Sequence, residues 1–298
     1  MKTNKLTNSI KRAFLAFALT SLSFSSANAL DVILHNGDAT DGDNWVADNG
    51  TIQFKGSDAS ADFYNNSRLG NAAGGRFNVT SVDPSPQYNN IQLHGNSSLY
   101  VTGISATNLN IRVVENSYLY SDSTIALLGG SSVFISSGGM IESSLIADKL
   151  TVAEGGYWKS IGSSTITTGA AIIDGTVELV MTSGSDSIFV GSDSELDGDV
   201  FFKFSFTDDF IESIVSGAGY FDLSTFDSIV FADMTDFRYM GNVSIADIND
   251  TYAWTVTDLG GKNYRISNFS LVAIPEPSTY AAIFGVIALA FVAYRRRK

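Results

Sequence analysis

Two histidines, His35 and His94, are the only imidazoles in the chain, and cysteine is absent. Thiolate catalysis, disulfide staples and cysteine-ligated zinc are therefore excluded together. A serine hydrolase would need one of these histidines as a base beside a nucleophile, and neither sits in a motif such as G-x-S-x-G. Carboxylates are more plentiful. The sharpest cluster is DSELDGDV, where Asp193, Glu195, Asp197 and Asp199 recur at every second position. On a strand that alternation would crowd four like charges on one face, so a solvated turn or a bound cation is expected. The run partly matches the calcium loop D-x-[DN]-x-[DN]-G, with Gly198 at the sharp turn. It departs from that loop at Glu195, the third position, and at Phe204, the twelfth, where a bidentate glutamate belongs. Calcium is the one ion the sequence suggests, and no other cofactor is implied. A second run, DATDGDNW with Asp38, Asp41 and Asp43, is a weaker version of the same signal.

Pairs of carboxylates could also serve glycoside hydrolysis or polysaccharide elimination. Sites for anionic sugars need basic side chains beside the acids, and between residues 87 and 206 only Arg112, Lys149, Lys159 and Lys203 are basic. Aromatic residues offer another chemistry. Tyr100, Tyr118, Tyr120, Tyr157 and Trp158 fall on neighbouring predicted strands. Pointing outward, they would form a ladder on which sugar rings stack; pointing inward, they would form a stacked core. The inward arrangement is expected, because alternating patterns bury the larger residues.

The elements that must position these residues are short strands. NIQLHG, SLYVTG, NLNIRVV, SVFIS, KLTVAE and TVELVM alternate apolar with polar residues, and Gly, Ser, Asn and Asp separate them. No proline occurs between Pro86 and Pro275 to interrupt ladder hydrogen bonding. A loose repeat, anchored at Asn96, Asn116, Gly138, Gly155 and Gly175, has spacings of 20, 22, 17 and 20 residues. Coils of that length predict an all-β fold, a right-handed parallel β-helix-like solenoid, with a β-sandwich as the alternative. A solenoid needs capped ends. TDDFIESIV predicts one cap, a helix with Thr207 as N-cap, Asp208 and Asp209 in its first turn, and Phe210, Ile211, Ile214 and Val215 on one face. FDSIVF, NVSIAD, YAWTVTD and NYRISNF read as final strands, the last two joined by a hairpin at Gly260 and Gly261.

The two ends of the chain carry different signals. Lys2, Lys5, Lys11 and Arg12 precede the apolar Ala13 to Leu19, and Ala27-Asn28-Ala29 closes the segment, so residues 1–29 read as a secretory signal peptide cleaved after Ala29. The body, residues 30–274, holds ten basic and thirty acidic residues, a net charge of −20. Such a surface repels phosphate backbones, which excludes nucleic acid as a partner. From Thr279 to Tyr294 every side chain is uncharged, and Arg295, Arg296, Arg297 and Lys298 follow. A single C-terminal transmembrane helix over 279–294 is expected, with the basic end as cytoplasmic anchor and the inner membrane as a transient tether. Ahead of it, Pro275 and Pro277 lock their own φ angles and push the preceding residues away from α, so IPEP is an extended segment.

Pro275, Glu276, Pro277 and Ser278, followed by the apolar stretch and the arginine cluster, resemble the PEP-CTERM sorting tail of Gram-negative bacteria over residues 274–298. That resemblance implies recognition by an exosortase, an integral-membrane cysteine transpeptidase-like enzyme, which cuts near the motif and delivers its substrate to the cell surface or extracellular matrix. The body is similar, more weakly, to autotransporter-type β-helix regions, and no catalytic motif comes with that likeness. The sequence thus predicts an exported, membrane-anchored precursor of a non-catalytic structural protein, with extracellular polysaccharide as a candidate partner. A carbohydrate-active β-helix enzyme or a carbohydrate-binding surface protein are the alternatives.

Overall fold

The alternation of apolar and polar residues becomes a three-sided parallel solenoid. The computed structural model describes residues 29–272, apart from 36–37, 41, 56–57, 82–87, 168–170, 192–194, 197–199 and 233–241. One face stacks Arg68–Leu69, the start of Ser98–Thr107, Tyr118–Ser121, Met140–Glu142, Tyr157–Ile161, Thr176–Met181 and Phe201–Phe206, each parallel to the next. A second face stacks Ala29–Leu34, Asn49–Phe54, Phe77–Ser81 and then Ile104, Ile125, Leu145, Ser164 and Ile188 with their neighbours. The third runs through Ser60–Tyr64, Asn89–Leu93, Leu109–Val113 and the segments ending at Ile135, Val152 and Ile173. All of these pairings are parallel, which sets the sandwich alternative aside, because sandwich sheets pair neighbours antiparallel.

The interior is a set of single-file apolar columns. Leu99, Leu119, Ile141, Trp158, Val177 and Phe202 occupy one register position on successive coils, and each is fully buried. Trp158 fits because its Nε1 donates to the Ser143 carbonyl at 3.1 Å, which satisfies the one polar atom of an otherwise apolar ring. Among the described residues no buried side-chain nitrogen or oxygen lacks a partner.

The repeat read from sequence is a stack of tight turns between the third and first faces. Ser97 N donates to His94 O, Ser117 N to Val114 O, and Gly139 N to Ser136 O, at 3.3, 3.1 and 2.8 Å. The central pairs Gly95-Asn96, Glu115-Asn116 and Ser137-Gly138 all have positive φ, as a type I′ turn requires. Turns also bond to turns: Asn96 N donates to Glu115 O at 2.9 Å and Asn116 N to Ser137 O at 3.1 Å. Four of the five anchors share one slot, and Gly175 sits one place later, in the slot of Gly139 and Gly156. Ser97 and Ser117 fill that slot on the two preceding coils, but at position 139 a Cβ would lie 2.1 Å from Val113 O, so a larger residue fits there only if the coil shifts.

At the C-terminal end the helix Asp208–Ser216 forms as predicted, with Thr207 accepting from Phe210 N and with Phe210, Ile211 and Ile214 buried. Val215 instead faces outward, 47% exposed. An antiparallel sheet of Tyr220–Ser224, Tyr252–Gly260 and Asn263–Leu271 covers this end. Its aromatic Phe221 and Trp254 meet Phe206 and Phe210 at ring separations of 5.2–6.4 Å. The hairpin turns on Gly261 and Lys262, both at positive φ, one residue later than the Gly-Gly pair suggests, because Gly260 pairs with Asn263. FDSIVF is part helix, Thr225–Ser228, before the short strand Ile229–Phe231.

The expected transmembrane helix requires correction. Among the described residues no helix is long and apolar enough to cross a membrane. The nine-residue Asp208–Ser216 spans about 13 Å, against the ~20 residues a bilayer requires, and carries acids in its first turn. The fold is accordingly an all-β, largely parallel solenoid, and the membrane-anchored precursor inferred from that helix loses its support. The segment 279–294, the motif Pro275 to Ser278, the basic end Arg295 to Lys298, and Ala27 all lie outside the described residues, while Ala29 opens the first strand opposite Asn49.

Candidate functional site

On the first face, period-two alternation drives one residue of each pair inward and holds its neighbour on the surface. The outward residues form two columns along the solenoid. The inner column reads Tyr100, Tyr120, Glu142, Lys159, Glu178, Lys203 in direct register. Beside it runs Ser98, Tyr118, Met140, Tyr157, Thr176, Phe201. From Glu142 onward the inner column alternates in charge, so that neighbours across each rung attract rather than repel.

Tyrosine hydroxyls cross between the columns. Tyr118 donates to Glu142 Oε2 at 2.6 Å, and Lys159 Nζ reaches Glu142 Oε1 at 2.8 Å. One coil further on, Tyr157 donates to Glu178, which also accepts from Ser205, and Lys203 Nζ lies 5.0 Å from the Tyr157 ring centre. Burial, and next the hydrogen bond to a carboxylate that would face a phenolate, push both the Tyr118 and Tyr157 hydroxyls well above the ordinary tyrosine range. Nearer the N-terminus Arg76 grips Asp122 with two bonds of 2.7 and 2.8 Å while its guanidinium lies 5.0 Å from the Tyr120 ring centre and 5.7 Å from that of Tyr100. The hydrogen bond with Asp122 raises the Arg76 pKa, and the same bond lowers that of Asp122.

The expected inward packing of the aromatics therefore holds for Trp158 alone; Tyr100, Tyr118, Tyr120 and Tyr157 lie half-buried on the outer surface. Register decides this: Trp158 falls on the inward parity of its strand, and Tyr157 on the outward one. Glu142, Glu178, Arg76, Asp122 and Phe201 are the site residues that motif reasoning missed. A signal for part of this set exists in the sequence: four residues beyond the anchors Asn96, Asn116, Gly138 and Gly155 stand Tyr100, Tyr120, Glu142 and Lys159.

Where Tyr157 and Phe201 stand two rungs apart, the smaller Thr176 lies between them and leaves a cleft of about 510 Å³, lined also by Glu154, Asp174 and Gly155, Gly156 and Gly175. Other candidates are dispersed. His35 is exposed, its backbone N–H donating to Asp38 at 2.7 Å. His94 stacks on Tyr64 with ring centres 5.0 Å apart. Asp43 accepts from Asn44 and Asn65, and Asp41 lies outside the described residues. Glu195 is exposed in the short strand Glu195–Leu196, while Asp193, Asp197 and Asp199 also lie outside the described residues. Among the described residues no three His, Cys, Asp or Glu side chains are grouped to hold a metal. Arg112 lies over the Phe134 ring at 4.8 Å, and Lys149 is exposed.

Fold and surface together define a parallel β-solenoid with an ordered tyrosine, carboxylate and lysine face. No family model matches the chain, and neither a curated protein nor a solved structure is detectably similar to it.

Proposed function

We propose that this protein is an exported, non-catalytic structural component of a cell surface or extracellular matrix, directed there by an exosortase acting at Pro275 to Ser278. The observation that carries the non-catalytic part is the pairing of the face's two stacked carboxylates. Glu142 is held by Tyr118 and Lys159, and Glu178 by Tyr157 and Ser205. An acid–base pair for sugar chemistry needs one carboxyl free to give a proton and another free to accept one or to attack carbon. Here both are bound as acceptors, and the nearest cations are spent on Glu142 and on the Tyr157 ring. A closed stack of coils with satisfied turns is a rod suited to bearing and spacing other molecules.

Two measurements test this reading. Purified protein is incubated with neutral and acidic polysaccharides, and new reducing ends or unsaturated products are assayed; none are expected, and turnover that is lost in Glu142→Gln, Glu178→Gln, Glu154→Gln or Asp174→Asn, or that persists in all four, would overturn the proposal. In cells, replacing Pro275, Glu276 and Pro277 with alanine is expected to stop delivery, and mass spectrometry of wild-type extracellular protein should show loss of the residues beyond the motif. Extracellular protein ending in intact Arg295–Lys298 would refute the sorting route.

A further inference from the structure

The cleft beside Thr176 is a recess on the outer face bounded by two aromatic side chains, Tyr157 and Phe201. Rungs of a parallel sheet are about 4.8 Å apart, so Tyr157 and Phe201, in register on either side of Thr176, stand roughly 9.6 Å apart at the backbone. A sugar ring stacked on an aromatic side chain needs a contact of about 3.5–4.0 Å, and a backbone separation of this size leaves space for it above the smaller Thr176. Its volume, about 510 Å³, falls in the range of small-molecule sites, about 300–1,000 Å³. Phe201 is 43% exposed, an unusual state for a phenylalanine whose strand neighbours Phe202 and Phe204 are buried.

The rest of the lining selects the ligand. Glu154 and Asp174 bring carboxylates to the mouth, which accept hydrogen bonds from hydroxyl groups and repel anions. Gly155, Gly156 and Gly175 bring the backbone close, with no side chains to block approach. Lys203, over the Tyr157 ring, disfavours a cationic ligand at that wall. Apolar ring faces with hydroxyls around the rim match an uncharged pyranose. From these features we infer that the Tyr157–Thr176–Phe201 cleft binds one sugar ring of a neutral polysaccharide, the chain running on along the tyrosine columns toward Tyr118 and Tyr120. This rests on the structural, non-catalytic reading only in taking a matrix polymer as the ligand.

Affinity electrophoresis in gels containing hydroxyethylcellulose, laminarin or galactomannan tests it, with polygalacturonate as the charged comparison. Retardation is expected in at least one neutral gel and not in polygalacturonate. Phe201→Ala is expected to weaken binding about ten-fold through lost contact area and stacking. Thr176→Leu, which keeps both aromatic walls but fills the gap, should weaken it comparably. Phe189→Ala, which removes an exposed phenylalanine from another face, should leave it unchanged. Should Phe201→Ala lose its fold by circular dichroism, Thr176→Leu decides. Absence of retardation in every neutral gel, preference for a charged polymer, or wild-type binding by folded variants that alter the cleft would overturn the inference. Bond cleavage without dependence on the cleft would overturn the non-catalytic reading and leave this site standing.

Discussion

Gly139→Ala should destabilise the protein more than Gly219→Ala, because the new methyl at 139 collides with the coil beneath. Gly139 has no positive φ, so alanine meets no conformational penalty there and the effect isolates packing. Its Cβ would lie 2.1 Å from Val113 O and 2.6 Å from Val113 C. Carbon–oxygen contacts settle near 3.3 Å, so the coil must shift by about 1.2 Å, which takes 2.8–3.0 Å hydrogen bonds beyond bonding range. The bonds at risk are Gly139 N to Ser136 O, Met140 N to Ser117 O and Tyr157 N to Gly139 O. At about 1 kcal/mol net for each, the loss is roughly 3 kcal/mol. Gly219→Ala is the comparison: its φ of 74° strains alanine, but nothing lies within 4 Å, so about 1–2 kcal/mol is expected. Urea denaturation followed by circular dichroism measures both as shifts in midpoint at constant slope. Equal costs at the two positions would refute the claim that coils are held at contact distance by their glycine slots.

Ultraviolet titration should show Tyr118 and Tyr157 ionising above the ordinary ~10, and Glu178→Gln should bring Tyr157 back toward it; an unmoved titration would remove the carboxylate as a cause. Since the folded-state pKa of these hydroxyls is raised, their contribution to stability is complete below about pH 10 and is lost as pH climbs beyond it. Asp122 and Asp186 have the opposite sign. Arg76 lowers the former; for the latter burial works upward but is outweighed by Thr182 and Ser183 hydrogen bonds, so both support the fold above about pH 4 and stop doing so as pH falls. Urea midpoints across pH check both limbs, and Asp186→Asn should flatten the acidic one. Trp158→Ala should cost about 3–5 kcal/mol by calorimetry, since it empties a fully buried position and orphans the Ser143 carbonyl; a cost below 1 kcal/mol would contradict the single-file core.

The near-20-residue spacing of Asn96, Asn116, Gly138 and Gly155 was sufficient to read a stacked solenoid and its coil length, because these turns demand positive φ or a missing side chain and few residues supply either. The capping helix was equally legible, since Thr207, the acids after it and a narrow apolar stripe are local signals. Parity was harder to read. In YW at 157–158 either aromatic could have turned inward, and only the pairing of Trp158 with Ile141 and Val177 gave the interior place to tryptophan. Nor could one strand reveal that Glu142 would meet both Tyr118 and Lys159, partners 24 and 17 residues away that coil stacking alone brings within hydrogen-bond reach. Local conformation is written in neighbouring residues, whereas the face and its cleft arise from registers between strands, and register is set by the whole core closing at once.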